Sequence, residues 1–193
     1  PGTSELIGKA IQAAVQKCGL HEGVFSLLQE NGYQIGVALV EHPAIKAVGF
    51  TGSYKGGMAL YKLAVNRPEP IPFYAEMGST NPVFVLPNAM QQNGAAIAAN
   101  YATSVTMGAG QFCTNPGVLI ATSTGYTPTF EQAIKEEFEK TTGATMLTPG
   151  IHQAYQQGIA HLEEQPFTEL LAKGVAVGTS ASAAPTLLKA SAK

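Results

Sequence analysis

Helical and strand-like patterns alternate along the first half of the chain, and this alternation constrains the fold more than any other feature. Stripes of apolar residues at helical spacing are separated by short apolar runs, in the order helix 4–17, strand 24–28, helix 35–40, strand 44–50, helix 58–65 and strand 73–76. Ser4 is placed to cap the first helix and Gly19 to end it. Strands joined through helices run parallel, so the pattern predicts an α/β fold with a mostly parallel sheet.

The pattern changes near Gly78, where one strand follows another almost directly. The predicted elements beyond it are strand 83–86, helix 90–106, a glycine-rich loop 108–117, strand 118–121, helices 129–141 and 150–163, and strand 175–177. We therefore predict two domains, 1–78 and 79–193. The tail after residue 178 is rich in Ala and Ser and has no strong period, so we expect either poor order or a strand and helix whose partners lie beyond the end.

Composition and charge exclude several classes of protein. Of the 193 residues 45% are apolar and 12% charged, which is typical of a folded protein. A net charge of -2 provides no positive field for nucleic acid. No apolar run approaches the roughly 20 residues that span a bilayer, and the first residues lack a signal-peptide pattern, so we expect a cytoplasmic protein. The two cysteines form no CxxC pair or Cys/His cluster, so we predict no metal site.

The segment Thr51-Gly52-Ser53 follows a predicted strand and opens a predicted helix. The free N–H groups and the positive dipole end of such a helix favour a pyrophosphate, and Lys55 adds positive charge. The segment matches neither the G-x-G-x-x-G pattern nor a Walker sequence. It is therefore either a plain strand-to-helix turn or a phosphate site.

Cys113 and Glu76 are the two residues of this sequence that could carry chemistry. Cys113 lies in the glycine-rich loop, where backbone N–H groups are placed to activate a thiol and bind an oxyanion, whereas Cys18 lies on an apolar helical stripe and is expected to be a buried hydrophobe. Glu76 ends a strand predicted to be buried, just before a glycine turn, so it is either a general base or a salt-bridged structural acid.

Three segments taken together resemble the aldehyde dehydrogenase superfamily: Phe50-Thr-Gly-Ser53, Glu76-Met-Gly-Ser-Thr-Asn-Pro82 and Gly110-Gln-Phe-Cys-Thr114. The resemblance rests on their order and separation, because each segment alone is unspecific. Within the superfamily, the sequences of the second and third segments are most similar to those of the enzymes that oxidise the semialdehyde 2,5-dioxopentanoate. The resemblance extends from the first residues to at least Leu162.

The resemblance implies a role for each matching position. Cys113 is expected to be the nucleophile that forms a thiohemiacetal, with its own N–H as half of the oxyanion site. Glu76 is expected to activate water against the thioester. Thr51, Gly52 and Ser53 are expected to contact the cofactor pyrophosphate and Gly78 to let the backbone approach the nicotinamide. Asn81 is expected to hold a structural position near the loop of Cys113.

The resemblance also implies an architecture and a reaction. Residues 1–78 are expected to be the Rossmann-like, parallel-sheet part of an NAD(P)-binding domain, and residues 79–193 the first part of an α/β catalytic domain. The reaction is oxidation of an aldehyde with NADP or NAD, in a parent enzyme that is a homo-oligomer. Family segments that complete the oxyanion site and hold the nicotinamide ribose have no counterpart here, so we expect the chain alone to bind NAD(P) weakly and turn over little.

Two alternatives belong to other functional classes. The first is a cysteine hydrolase or acyltransferase that uses Cys113 with a histidine and without nicotinamide. The second is a non-catalytic module in which Cys113 is inert, and there Cys18 and Cys113 would react equally slowly with a thiol alkylator.

Overall fold

The computed structural model describes residues 2–178 and 181–191. It divides the chain into two compact units, Pro1–Gly78 and Ser79–Lys193. The assignment of coenzyme binding to the first unit and of the nucleophile to the second stays a prediction. None of the helices in the described ranges combines the length and the apolar content needed to cross a bilayer.

The first unit is built on a parallel pair of strands. Its elements are α1 Gly2–Lys17, a 3-10 helix Glu22–Val24, α2 Gln34–Glu41, β1 Val48–Thr51, α3 Tyr54–Val65 and β2 Phe73–Glu76. β1 and β2 are parallel, with Val48 opposite Phe73 at one end and Thr51 opposite Glu76 at the other. The predicted helix–strand alternation and parallel pairing over residues 35–76 are confirmed.

A small apolar core joins α2, α3 and the two strands. Val40, Ala64 and Ile71 are buried, and neighbouring apolar side chains pack around them (Ile45, Val48, Leu60, Leu63 and Phe73). The Arg67 guanidinium donates hydrogen bonds to the carbonyls of Val40 and Ile45, at 2.9 and 3.0 Å. This side chain satisfies the Val40 carbonyl in the last turn of α2, which accepts no hydrogen bond within the helix, and the Ile45 carbonyl in the loop before β1.

The predicted end of α1 is right, and its predicted start is not. Gly19 has φ +62°, and the N–H groups of Gly19 and Leu20 donate to the carbonyls of Gln16 and Val15. This is the Schellman arrangement, which favours glycine because that φ is costly for other residues. The helix begins at Gly2, so Ser4 lies inside it and is not its cap.

The strand predicted at 24–28 is wrong. Glu22–Val24 forms a 3-10 helix, and the extended residues that follow pair with no strand among the described residues. An apolar run becomes a strand only where a neighbour offers backbone hydrogen bonds, and here Leu27 packs against Gly8 of α1 instead. Cys18 was expected to be buried but is exposed, as are Leu6 and Ile7 on the same apolar stripe of α1.

The second unit combines a parallel pair of strands with two antiparallel pairs. Its elements are β3 Val83–Val85, α4 Pro87–Thr106, a 3-10 helix Met107–Gly110, β4 Leu119–Ala121, α5 Thr127–Lys140, β5 Ala144–Thr145, α6 Pro149–Glu163, β6 Thr168–Lys173, β7 Ser182–Ala183 and β8 Thr186–Ala190. β3 pairs with β4 in parallel, whereas β5 pairs with β7 and β6 with β8 in antiparallel fashion.

The main core of this unit lies between α4 and α5. Its buried members come from both helices and from two strands (Val85, Met90, Ala98, Tyr101, Ala102, Phe130, Ile134, Phe138 and Ala172). The small residues of α4 let α5 approach closely, and the core shared by the two helices stabilises both. Burial raises the pKa of Tyr101 above its ordinary value, because the charged phenolate would be poorly solvated.

The end of the chain differs most from the sequence prediction. The strand predicted at 175–177 is wrong, because only Val175 forms a bridge, with Thr142. β6 was missed, and the expectation of poor order or of partners beyond the end is wrong for the described part of the tail, because β7 pairs with β5 and β8 with β6. Residues 179, 180, 192 and 193 of that tail lie outside the described residues. Antiparallel pairing with β6 stabilises β8, although neither strand has a clear alternating pattern.

Candidate active site

The predicted site residues of the first unit meet at the carboxyl end of its parallel strands. Thr51 is opposite Glu76 in the ladder, and the Gly52 N–H donates to the Glu76 carbonyl at 3.1 Å. Parallel strands end at a common edge, and ligands of open α/β sheets bind outside that edge. The structure therefore brings the Thr51–Ser53 turn and Glu76 together.

Ser53 caps the helix that follows this turn. Its side-chain oxygen accepts a hydrogen bond from the Gly56 N–H at 3.1 Å. The first N–H groups of a helix have no intrahelical acceptor, and those of Tyr54 and Lys55 find none in the described part of the chain. The free N–H groups, the remaining Ser53 hydroxyl hydrogen and the exposed Lys55 ammonium fit a phosphate group.

Glycines bring the start of α3 into close contact with the strand ends. A Cβ at Gly52 would lie 2.7 Å from the Phe50 ring, and one at Gly57 would lie 2.8 Å from Met77 and 3.0 Å from Phe50. The Phe50 ring also stacks on Phe73, with 6.2 Å between centroids. Packing under the turn therefore requires small residues at both positions.

Glu76 does not have the environment that the sequence suggested. Its side chain is exposed and not buried, and within the described residues its carboxylate forms no ion pair or hydrogen bond. β2 is half-buried, and the Glu76 side chain extends from its exposed face. The alternative role of Glu76, a structural acid in a salt bridge, is therefore not seen among the described residues. Gly78 is also exposed, and a Cβ there would meet nothing within 4 Å.

Cys113 occupies a tight turn in the second unit. The Asn115 N–H donates to the Phe112 carbonyl at 3.0 Å, which closes a four-residue turn with Cys113 at its first central position. The thiol is free and exposed. The Cys113 N–H has no hydrogen-bond acceptor among the described residues. A thiol and an unpaired N–H on one residue are what nucleophilic attack on a carbonyl requires.

Side chains from outside the turn hold it in place. Ser79 Oγ and Asn81 Nδ2 both donate to the Cys113 carbonyl, the latter at 2.8 Å, and Asn81 Nδ2 also reaches the Asn115 carbonyl at 3.2 Å. On the other side, Asn115 Nδ2 donates to the Val105 carbonyl at the end of α4, at 2.6 Å. The expected place of Asn81 near this loop is confirmed.

The sequence contains a signal for these contacts. Asn81-Pro82 and Asn115-Pro116 each precede a strand, and those strands, β3 and β4, are parallel neighbours. Parallel neighbours begin at the same edge of a sheet, so the segments that lead into them must meet. Ser79 and Asn115 could have been predicted as partners of the Cys113 loop on this ground.

A cavity of about 500 Å³ lies beside the same loop. Gln111 and Asn115, on either side of Cys113, line it together with Tyr155, but Cys113 is not among the lining residues. No hydrogen bond joins Cys113 to His152 or His161 in the described part of this unit. Among the described residues, no three His, Cys, Asp or Glu side chains are grouped as metal ligands.

Comparison with known proteins identifies relatives along the whole chain. A model of the aldehyde dehydrogenase family matches residues 2–188. Alpha-ketoglutaric semialdehyde dehydrogenase 2 of Azospirillum brasilense is 48% identical over 192 residues, covering 100% of this chain and 37% of the relative. Alpha-ketoglutaric semialdehyde dehydrogenase of Acinetobacter baylyi is 44% identical over 192 residues, or 97% of this chain and 35% of the relative. The chain thus spans about a third of these relatives.

Solved structures show the same fold at low sequence identity. A 1-pyrroline-5-carboxylate dehydrogenase from Thermus with bound NAD is 23% identical with a TM-score of 0.74, covering 89% of this chain and 35% of that chain. Proline utilization A from Bdellovibrio bacteriovorus is 21% identical with a TM-score of 0.79, covering 96% of this chain and 20% of that chain. With the family match across almost every residue, the chain belongs to the aldehyde dehydrogenase family.

Proposed function

We propose that this chain carries the nucleophile and the general base of an NAD(P)-dependent aldehyde oxidation. The single observation that supports it most is the Cys113 turn, which presents an exposed thiol next to an unpaired N–H of the same residue. We assign the nucleophile to Cys113 and the base to Glu76. The proposed substrate is 2,5-dioxopentanoate, which would be oxidised to 2-oxoglutarate, because the two relatives above are named for that semialdehyde.

Each step of this reaction has a residue suited to it. The Cys113 thiolate forms a bond to the aldehyde carbon, and the resulting oxyanion accepts a hydrogen bond from the Cys113 N–H. A nicotinamide cofactor, when bound, takes up the hydride that leaves this carbon. Glu76 accepts a proton from water, whose oxygen attacks the thioester and expels the thiolate as the carboxylic acid forms. An exposed, unpaired carboxylate is free to exchange that proton with solvent.

For the cofactor, we propose contacts from the Thr51-Gly52-Ser53 turn. The capped helix, its two free N–H groups and the exposed Lys55 support a pyrophosphate there. Gly78 is proposed to leave room for the nicotinamide, which its open surroundings permit. The proposed cofactor is NADP or NAD. A cytoplasmic location and a homo-oligomeric parent enzyme are also part of this proposal.

Graft experiments can test the reaction in a family-length enzyme. The matching segment of the Azospirillum brasilense relative would be replaced by this chain, and reduced nicotinamide would be followed by its ultraviolet absorbance with 2,5-dioxopentanoate. Cys113→Ser should lower the rate by at least about a thousandfold, because the alkoxide of serine is far less available than a thiolate. Cys18→Ser, which changes the other exposed cysteine, should leave the rate unchanged.

The two proposed roles differ in the kinetics they predict. Glu76→Gln should still give about one equivalent of reduced nicotinamide per active chain, followed by turnover slowed by about a hundredfold or more, because only thioester hydrolysis needs the base. A graft whose activity survives Cys113→Ser would contradict the proposal. A Glu76→Gln graft without the initial burst would contradict the assignment of the base.

A further inference from the structure

Two side chains that are hydrogen-bonded to each other, those of Ser79 and Asn81, fix the carbonyl of Cys113. Ser79 Oγ donates to it, and Asn81 Nδ2 donates to it at 2.8 Å. Asn81 Nδ2 also lies 2.9 Å from Ser79 Oγ, so the serine accepts from the amide while it donates to the carbonyl. All three residues belong to the second unit. Two donors on one carbonyl hold its peptide plane more firmly than one donor does.

The same amide reaches the far end of the turn. Asn81 Nδ2 lies 3.2 Å from the Asn115 carbonyl, two residues beyond Cys113. An amide nitrogen has only two hydrogens, so its three acceptors share them. Carbonyl acceptors can face only the NH₂ side of an amide, which fixes the orientation of the Asn81 side chain. The turn thus fixes the position of the Asn81 side chain, and the Asn81 side chain in return fixes the position of the turn.

Asn81 adopts a backbone conformation suited to this role. Its φ is +44°, in the left-handed region that Asn and Gly tolerate better than other residues. That conformation comes directly before Pro82, at the start of the segment that enters β3. Such a conformation persists where surrounding contacts hold it, and here those contacts are the hydrogen bonds to the Cys113 turn.

We propose that Ser79 and Asn81 are positioning residues that hold the Cys113 turn so that the Cys113 N–H points to the carbonyl oxygen under attack. The proposal rests on the proposed function, in which Cys113 is the nucleophile. Neither side chain touches the reacting atoms. Both act through the Cys113 carbonyl, whereas the N–H of the same residue has no acceptor among the described residues. Without them, the turn would keep its Phe112–Asn115 bond and the Asn115 anchor but lose the bonds to the Cys113 carbonyl, and the direction of the donor would be less fixed.

Two reagents separate the direction of the N–H from the reactivity of the sulfur. With 4-nitrophenyl acetate, the thiolate bonds to the acyl carbon, an oxyanion forms and collapses, and 4-nitrophenolate leaves a thioester behind. With iodoacetamide, the sulfur displaces iodide from a saturated carbon, and no oxyanion forms. Only the first reaction uses the N–H donor, so the ratio of the two rate constants reports its positioning.

The experiment uses the 193-residue chain and peptide-level mass spectrometry. Asn81→Gly removes the amide but tolerates the left-handed φ. We expect it to slow acylation of Cys113 about tenfold, which corresponds to the free energy of one hydrogen bond to the oxyanion. The rate of alkylation should change less than about twofold. Ser79→Ala should slow acylation about threefold, and Ser79→Thr, which keeps the hydroxyl, should restore it. Thr80→Ala, between the two residues and exposed, should change neither rate.

Cys18 provides an internal reference in every sample, because it is also exposed and is modified by the same reagents. Equal slowing of both reactions at Cys113 would overturn the proposal, since the side chains would then affect the reactivity of the sulfur and not the direction of the N–H. Unchanged acylation in Asn81→Gly and Ser79→Ala would also overturn it, and the nucleophile assignment would stand. Should Asn81→Gly fail to fold, the comparison of Ser79→Ala with Ser79→Thr decides. Wild-type acylation no faster at Cys113 than at Cys18 would refute the nucleophile and this proposal together.

Discussion

The two candidate turns of this chain are held in place in opposite ways. The turn at Thr51–Ser53 is fixed on its helix side by contacts that are local in sequence, namely the Ser53 cap on Gly56 and the Phe50 ring beneath Gly52. Its distant hydrogen bond joins main-chain atoms of Gly52 and Glu76. The Phe112–Asn115 turn is fixed by side chains 32 to 34 residues earlier in the chain. Local contacts form as soon as the helix does, whereas distant ones require the surrounding unit to fold first.

Because of this difference, the two turns depend on different features of the structure. The first turn needs space, because its glycines allow strand and helix to approach. The second turn needs donors, because its carbonyls must be held by polar side chains from another segment. Overpacking should therefore damage the first turn most, and loss of hydrogen bonds should damage the second.

The largest effect is expected from overpacking at Gly57. Gly57→Val should destabilise the first unit by about 2–3 kcal/mol, because the new side chain must displace Met77 and the Phe50 ring. Denaturant unfolding and amide hydrogen exchange over residues 48–65 would measure it. Gly36→Ala in α2, where a Cβ meets nothing within 4 Å, is the control and should stabilise by about 0.5–1 kcal/mol. Equal stability of the two variants would show that the close packing at Gly57 does not matter.

A smaller effect is expected from the anchor of the second turn. Asn115→Ala removes the bond to the Val105 carbonyl and should cost about 1–2 kcal/mol, with faster amide exchange over residues 105–115. Asn100→Ala is the matched control, because Asn100 is exposed on α4 and alanine favours helix there. If amide exchange in the Cys113 loop were the same in both variants, the turn would not depend on this anchor.

The smallest effect concerns the cap of the first turn and separates capping from phosphate binding. Ser53→Ala should cost about 1 kcal/mol, because the Gly56 N–H loses its partner. Ser53→Asp also caps the helix and should keep its stability, but its negative charge should raise the KM for NAD(P) about tenfold in the grafted enzyme. Thermal unfolding and cofactor titration measure the two effects. An unchanged KM in Ser53→Asp would place the pyrophosphate elsewhere.

Local physics explains which elements could be predicted from the sequence. α3, β2 and the turn between β1 and α3 follow from apolar spacing, a capping serine and glycines, all within a few residues of one another. The strand at 24–28 failed because its apolar run has no partner strand in the described residues. β6 and β8 were missed for the opposite reason, since pairing between distant segments stabilises them although neither has a strong pattern.

The candidate site divides along the same line. Cys113 and Glu76 were identified from residue type and their glycine-rich surroundings, together with the resemblance to a family. Their exposure could not be foreseen, since it depends on which face of a strand or loop is covered. The contacts of Ser79 were missed because they depend on the parallel pairing of β3 with β4, which brings two distant loops to one edge.

The hydrogen bonds that hold the Cys113 turn are independent of the cysteine side chain. Every hydrogen bond that holds the turn ends on main-chain atoms or on residues other than the cysteine, and none involves its sulfur. The shape of the site is thus independent of the group that would react there. Replacing Cys113 with a residue that has an inert side chain should give an inactive variant whose turn keeps its conformation. Such a variant would suit the crystallographic trapping of an unreacted aldehyde.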